Sequence, residues 1–299
     1  MAASAEAGTR RAWRQGAAAL LCAAAFAAAG FYDETVLRVP VVSANGHADP
    51  IDVTLFRPRE AVAAAVVILS HGSPREAQDR RRTARLRFEA QSRVFVALGH
   101  PVAVPTRRGY GDSGGDWSEG YGSCETPDYH RAGLETARDI RATIDALRKL
   151  SDLKAERFVL VGMSAGGWGS VAASTLPIEG LLGVVSFAGG RGSYGPNQVC
   201  GEQRLVEAAA RYGRESRVPQ LWIYSVNDLY FGPELARRMH AAFVAGGGRA
   251  EFLEAPPVGE DGHEYFARAA HWKAPVEAFL RRAVDEENLR RGARPDKGS

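Results

Sequence analysis

Cysteine is scarce in this sequence, and charge of neither sign dominates it. There are 3 Cys among 299 residues, too few for a small disulfide-stapled scaffold. The 38 Lys and Arg nearly balance the 35 Asp and Glu, leaving a formal net charge of +3. Nucleic-acid-binding domains normally carry a strongly basic surface, so we expect no nucleic acid partner. The arginine run at 80–82 lies among acidic residues in a helical pattern, and we interpret it as a solvated helix face.

Long apolar runs are also missing, except near the N-terminus. An uncharged, alanine-rich stretch at 17–29 follows three arginines between positions 10 and 14. Its 13 residues fall short of the roughly twenty that a membrane span needs. Small residues alternate at 25–29, as they do at a signal-peptidase site. We predict a signal peptide at 1–29 and an exported (periplasmic or secreted) protein with no membrane span after cleavage. An alanine-rich N-terminal helix is the alternative.

The arginines of this segment also bear on the export route. Arg10 and Arg11 are adjacent, and Trp13 follows closely. Paired arginines with a nearby aromatic residue resemble a twin-arginine signal.

From about residue 30 onward, short apolar runs alternate with amphipathic stretches. This alternation is typical of an α/β domain with a mostly parallel sheet and helices on both faces. Strands are predicted at 36–42, 51–56, 63–70, 102–105, 157–162, 181–187, 220–226 and 250–254, and helices at 76–97, 129–150, from 165, at 233–245 and at 270–284. The predicted domain covers 30–285 and has no large lid. Residues 286–299 are highly charged and are predicted to be a disordered tail.

The sharpest chemical motif follows the strand predicted at 157–162. Residues 162–166 read Gly-Met-Ser-Ala-Gly, a Gly-x-Ser-x-Gly pattern between a buried strand and a helix rich in small residues. A nucleophile on such a turn needs a strained backbone, and its neighbours must lack bulky side chains. The motif therefore predicts that Ser164 is a nucleophile. A tight strand–helix crossing without chemistry is the alternative.

A second loop follows the strand predicted at 63–70 and begins with His71-Gly72-Ser73. Backbone N–H groups at the start of such a loop can face the carbonyl oxygen of a bound ester. We assign the oxyanion hole to the backbone amides of Ser73 and Ala165. His71 is interpreted as a structural hydrogen-bonding residue.

An acid and a base complete the chemistry. Asp228 follows the strand at 220–226, whereas no Asp or Glu lies between residues 180 and 201, after the preceding strand. His263 follows the strand at 250–254 in a glycine-rich loop. When the nucleophile is on a Gly-x-Ser-x-Gly turn, the acid and then the base follow it along the chain. His263 is therefore the predicted base and Asp228 its partner.

The order Ser164, Asp228, His263, each after a strand, resembles that of the α/β-hydrolase superfamily across nearly all of residues 36–284. The chain is most similar to the dienelactone hydrolase and prolyl-oligopeptidase-type branches. It differs from the dienelactone hydrolases, which carry a Cys nucleophile where this chain has Ser164. The resemblance implies an α/β-hydrolase fold and a serine hydrolase.

Aromatic residues on loops at the expected catalytic face are candidates for substrate contacts, with ordinary loop packing as the alternative. They are Tyr110, Trp117, Tyr194, Tyr230 and Phe231. Cys124 and Cys200 lie in two of these loops and are the only cysteines left after signal removal. In an oxidising compartment we expect them to form a disulfide that joins the loops, and two free thiols are the alternative.

The sequence thus predicts an exported serine hydrolase that cleaves a small-molecule carboxylic ester through an acyl-enzyme. We expect no cofactor, and the His and Cys spacings predict no metal site. A serine peptidase of the prolyl-oligopeptidase type is one alternative, because the same catalytic residues can cleave amides. A catalytically silent hydrolase-fold binding protein is the other.

Overall fold

A mixed eight-stranded sheet forms the centre of the domain that follows residue 30. The computed structural model describes residues 31–43, 46–60 and 65–292. The predicted signal peptide, and with it the twin-arginine pattern, lies outside the described residues. The first two strands pair antiparallel and β2 pairs antiparallel with β4, whereas the remaining neighbours in the sheet are parallel. The predicted mostly parallel α/β architecture is confirmed.

The strands are β1 (Tyr32–Val42), β2 (Ala48–Pro58), β3 (Val66–Ser70), β4 (Val102–Thr106), β5 (Phe158–Met163), β6 (Leu181–Phe187), β7 (Ser193–Gly195), β8 (Gln198–Val199), β9 (Gln220–Ser225) and β10 (Ala250–Ala255). Their order in the main sheet is β1-β2-β4-β3-β5-β6-β9-β10. The helices are α1 (Ala77–Arg82), α2 (Glu89–Ala97), α3 (Tyr129–Leu147), α4 (Ala165–Ala173), α5 (Glu202–Glu215), α6 (Pro233–Ala245) and α7 (Ala269–Gly292). A short 3-10 helix spans Gly262–Ala267.

Two apolar cores cover the faces of the sheet. Because side chains alternate along a strand, Val66 and Ile68 of β3 enter one core and Val67 and Leu69 enter the other. The first core contains residues of α3 to α6, and the second contains residues of α2 and α7. Burial on both faces explains why β3 reads as a continuous apolar run.

The segment at 76–97 differs from the single predicted helix. The structure has two helices there, α1 and α2, separated by residues 83–88. Tertiary contacts account for the break: Arg85 and Arg87 both pair with Glu34 of β1. The backbone of Leu86 also bonds to the hydroxyls of Thr54 and Thr106. These contacts with the strands outweigh the helical pattern of the segment.

The last helix also departs from the sequence-based boundary. α7 continues to Gly292, into the segment 286–299 for which a disordered tail is predicted. Glu286 pairs with Arg249 and with Arg290 one turn further along the helix. These ion pairs stabilise the charged end of the helix. The sequence does not reveal them, because it shows only that this end has few apolar residues.

Two loops lie at the carboxyl edge of the sheet, where a large lid would lie if the chain had one. One loop follows β4, and the other follows β6 and contains a small hairpin. The hairpin of β7 and β8 was not predicted, and α5 follows it. Cys124 and Cys200 form a disulfide that joins these loops, which confirms the predicted pair. Within the described residues, no helix is both long enough and apolar enough to cross a membrane.

Reduction of this disulfide is expected to lower the free energy of unfolding by about 2–4 kcal/mol, because the bond restricts the unfolded chain across a separation of 76 residues. Urea unfolding of the purified protein with and without reductant measures the effect. The Cys124→Ser/Cys200→Ser variant is the control, since reductant should not change its midpoint. Equal midpoints for the reduced and oxidised wild type would contradict the expectation.

Candidate active site

Ser164 occupies the turn between β5 and α4 in a conformation that few non-glycine residues adopt. Its φ is 54° and its ψ is −125°. Close approach of backbone explains the flanking glycines. A Cβ on Gly162 would lie 2.4 Å from the carbonyl oxygen of Gly166, and one on Gly166 would lie 2.3 Å from that of Ser70. The turn therefore has the strained, crowded geometry that the Gly-x-Ser-x-Gly motif predicts.

The loop after β3 lies directly against Ser164. A Cβ built on Gly72 would come within 3.2 Å of the Ser164 Cβ. Ser73 and Ala165 line the same cavity as Ser164. The two backbone amides assigned to the oxyanion hole thus belong to residues on either side of the predicted nucleophile, one after β3 and one at the start of α4.

Asp228 and His263 meet at the ends of β9 and β10. The His263 Nδ1 lies 3.2 Å from both Asp228 carboxylate oxygens. Asp228 is 1% exposed, and its Oδ1 also accepts hydrogen bonds from the backbone amides of Tyr230 and Phe231 at 2.7 and 2.9 Å. A carboxylate held by backbone donors fixes the histidine ring and leaves Nε2 as the atom that can exchange a proton.

Asp261, which sequence reasoning did not single out, ties the two loops together. Its Oδ1 accepts hydrogen bonds from the backbone amides of Leu229, at 3.0 Å, and of His263, at 2.9 Å. The contact with His263 also caps the 3-10 helix that carries this histidine. An Asp two residues before the histidine, where a helical turn begins, is the signal that could have revealed this role.

Aromatic rings enclose the histidine. Tyr230 stacks on the His263 imidazole with ring centroids 3.9 Å apart and planes 9° apart. The Arg75 guanidinium lies 3.9 Å from the centroid of the same tyrosine ring. The Phe231 ring also lies beside the imidazole, with ring centroids 5.7 Å apart. Tyr230 and Phe231 line the cavity together with Ser164, so the two rings that contact the imidazole form part of the wall beside the serine.

The cavity has a volume of about 680 Å³. Its wall includes the predicted contact residues Trp117, Tyr194, Tyr230 and Phe231. It also includes Arg80, so one member of the predicted solvated arginine run faces the site. Among the described residues, no three His, Cys, Asp or Glu side chains are grouped as metal ligands would be.

Tyr110 is the one predicted contact residue that the structure places elsewhere. It is 0% exposed and lies behind the cavity wall. Its hydroxyl lies 2.8 Å from the Ser73 Oγ and 3.0 Å from the Glu119 carboxylate, and it accepts a hydrogen bond from Trp117 at 3.1 Å. Tyr110 thus supports residues that line the cavity but does not itself reach a substrate.

The comparisons with known proteins agree with this geometry. Residues 45–230 match the family described as X-Pro dipeptidyl-peptidase (S15 family), which is well over half of the chain. The chain belongs to the S15 peptidase family. The match includes Ser164 and Asp228 and ends before His263. None of the curated proteins searched matches the chain.

Solved structures share the fold of this S15-family chain. The Pyrococcus furiosus esterase Pf2001 has a TM-score of 0.56 at 15% identity, over 83% of this chain and 92% of that one. The Pyrococcus horikoshii acylaminoacyl peptidase has a TM-score of 0.58 at 15% identity, over 85% of this chain and 42% of that one. A Mycobacterium tuberculosis puromycin-hydrolyzing peptidase has a TM-score of 0.55 at 17% identity, over 84% and 40%.

These likenesses confirm the α/β-hydrolase fold. The S15-family chain spans about two fifths of the length of the two peptidases and nearly all of the esterase. Family and fold together make the protein a serine hydrolase of the α/β-hydrolase type.

Buried charges hold the loops around the site of the S15-family chain. Glu119 is 1% exposed and pairs with both Arg107 and Arg191. Burial raises the pKa of Glu119, but the two guanidiniums more than offset this and hold its pKa well below the ordinary range. Arg107 and Glu119 lie between β4 and α3, whereas Arg191 follows β6, so the ion pairs fix these two segments relative to one another. Neither these residues nor their pairing was predicted from the sequence.

His71 orients the peptide that carries the predicted oxyanion donor. Its Nε2 accepts a hydrogen bond from the Arg107 backbone amide at 3.2 Å, so its proton resides on Nδ1. The Nδ1 then donates to the Gly72 carbonyl at 2.6 Å. That carbonyl belongs to the same planar peptide as the Ser73 N–H, which therefore points the opposite way. Burial, with a smaller contribution from Arg107, holds the pKa of His71 well below its ordinary value of 6.5.

The neutral state of His71 predicts how stability depends on pH. Below about pH 6.5 the unfolded chain takes up a proton at this residue, whereas the folded protein does not until the pH is lower. The free energy of unfolding should therefore fall as the pH decreases through this range, by up to about 1.4 kcal/mol per pH unit for one group. Urea unfolding from pH 7.5 to pH 5 measures the slope.

The His71→Gln variant isolates this contribution, because glutamine keeps a polar side chain that does not titrate. Its slope should be shallower than that of the wild type, while the other histidines contribute equally to both proteins. Identical slopes for the two proteins would contradict a neutral, buried His71.

Proposed function

We propose that the protein hydrolyses carboxylic esters through Ser164, His263 and Asp228. The His263 Nε2 removes the Ser164 proton as the hydroxyl attacks the acyl carbon, and Asp228 stabilises the imidazolium through Nδ1–H. The backbone amides of Ser73 and Ala165 donate hydrogen bonds to the carbonyl oxygen and stabilise the negative charge that develops on it. The protonated imidazole then gives its proton to the departing alcohol, which leaves an acyl group on Ser164.

Water completes the reaction. His263 takes a proton from the water as it attacks the acyl-enzyme, and returns that proton to Ser164 when the carboxylic acid is released. Tyr230 and Phe231 cover the imidazole, which limits its contact with bulk water and favours this directed transfer. The observation that carries the proposal is the Asp228–His263 pair, whose imidazole stacks on Tyr230, a residue of the cavity that the strained Ser164 also lines.

Ester rather than peptide hydrolysis is favoured by the chemistry of the cavity. A peptidase that recognises a free amino terminus needs carboxylates that face the substrate. Glu119, the acid buried beside the cavity, already pairs with two arginines, and Glu76 is the one acidic residue on the described wall. The S15 family description names a dipeptidyl-peptidase, so a serine peptidase is the second candidate.

Export of the mature enzyme is part of the proposal. The basic and alanine-rich pattern at 1–29 is typical of a signal peptide. The Cys124–Cys200 disulfide is compatible with an oxidising compartment such as the periplasm or the medium.

Kinetics with 4-nitrophenyl esters from acetate to decanoate test the proposed function. The Ser164→Ala variant should lose roughly 10³-fold or more in kcat/KM, because it lacks the nucleophile. Ser151→Ala, at an exposed serine in a turn after α3, is the matched control and should keep wild-type rates. The chain length at which kcat/KM is highest measures the acyl part of the cavity.

Two results would oppose the proposal in different ways. Equal rates for wild type and Ser164→Ala would remove Ser164 from the chemistry. Faster turnover of alanyl-proline 4-nitroanilide than of every ester would instead identify the peptidase, with Ser164 still as its nucleophile.

A further inference from the structure

One wall of the cavity beside Ser164 carries two arginines that pair with no carboxylate of the described residues. Arg75 follows the proposed oxyanion loop, and Arg80 lies on α1. The Arg80 guanidinium lies 3.8 Å from the centroid of the Trp117 ring, and that of Arg75 lies 3.9 Å from the centroid of Tyr230. Within the described part of the chain, neither guanidinium forms an ion pair with an acidic side chain.

The hydrogen-bonding state of the two guanidiniums is also unusual. Arg75 donates only to Ser193, through Nε and Nη2. The Arg80 side chain donates to no acceptor among the described residues. Both side chains are held in place by aromatic faces, so most of their N–H donors are free to bind a molecule in the cavity.

Other arginines around the site differ from this pair. Arg107 and Arg191 are buried and share the carboxylate of Glu119, and Arg108 pairs with Asp139. The charge of Arg108 is therefore compensated inside the protein, and each of the other two arginines at least pairs with a buried carboxylate. On the described cavity wall, Arg75 and Arg80 are the arginines that pair with no carboxylate, and Glu76 is the one acidic residue of that wall.

A fixed guanidinium with free donors is well suited to bind a carboxylate, which can accept two parallel hydrogen bonds from it. We propose that the preferred substrates are esters that carry a negatively charged carboxylate, with Arg75 and Arg80 as the residues that determine this specificity. The inference rests on the proposed ester hydrolysis and adds the class of ester.

Paired substrates that differ in charge test the inference. For the acyl side, the mono-4-nitrophenyl ester of glutaric acid is compared with 4-nitrophenyl pentanoate. For the alcohol side, the butyrate ester of 4-hydroxybenzoate is compared with phenyl butyrate. Within each pair, the ratio of kcat/KM for the anionic ester to that for the neutral ester is the quantity measured, after subtraction of the uncatalysed rate.

The variants are Arg75→Gln, Arg80→Gln and their combination. In the double variant we expect the ratio to fall by about tenfold or more for at least one pair, since hydrogen bonds to charged groups are worth about that factor. Arg80→Lys should retain part of the preference because it keeps the charge. Arg281→Gln, at an exposed arginine of α7, is the matched control and should leave both ratios unchanged.

A ratio is needed because Arg75 also contacts Tyr230, which stacks on His263, so its removal can alter the hydrolysis of every ester. Unchanged ratios for both pairs in the double variant would overturn the specificity inference and leave ester hydrolysis intact. Absence of Ser164-dependent turnover for all four esters would instead oppose the proposed function.

In that second case, binding decides the inference without catalysis. Calorimetric titration of the Ser164→Ala protein with the glutarate half-ester should show affinity that falls about tenfold when Arg75 and Arg80 are also replaced. Equal affinity for the two proteins would overturn the role of the arginines.

Discussion

The crowded turn at Ser164 is the constraint on which the rest of the site depends. Its positive φ lifts the serine out of line with β5, and α4 then passes so close to β3 that Gly166 has no room for a side chain. The same closeness brings Gly72 against Ser164. Two adjacent parallel strands therefore bring Ser164 and the proposed oxyanion donors to one point, because their carboxyl ends lie at the same edge of the sheet.

Buried charge keeps the surrounding loops at that point. Glu119 joins Arg107 and Arg191, while Asp228 and Asp261 hold backbone amides at the ends of β9 and β10. Loss of one partner of a buried pair leaves an uncompensated charge and is strongly destabilising. A loop that moved away from its partner would incur this cost, so the pairs hold the loops in position. The site is thus ordered before a substrate arrives, which is what electrostatic stabilisation of a transition state requires.

Most of the fold and the main catalytic candidates could be predicted from the sequence, because each has a local signal. The apolar runs identify the strands, Gly-x-Ser-x-Gly identifies Ser164, and the positions after successive strands identify Asp228 and His263. What escaped prediction depends on contacts between distant segments. Glu119 is indistinguishable in sequence from a surface acid until Arg107 and Arg191 surround it. Likewise, nothing local separates Arg80, which faces the cavity, from Arg81 beside it.

Covalent labelling of Ser164 tests the central claim, that the turn and the Asp228–His263 pair activate this serine beside the proposed oxyanion donors. The wild-type protein is treated with a fluorophosphonate, and the modified residue is located by peptide mass spectrometry. We predict a single adduct on Ser164, formed rapidly in the folded protein and strongly slowed in the His263→Ala variant. An adduct on another residue, or equal labelling rates for the wild type and the His263→Ala variant, would contradict the account.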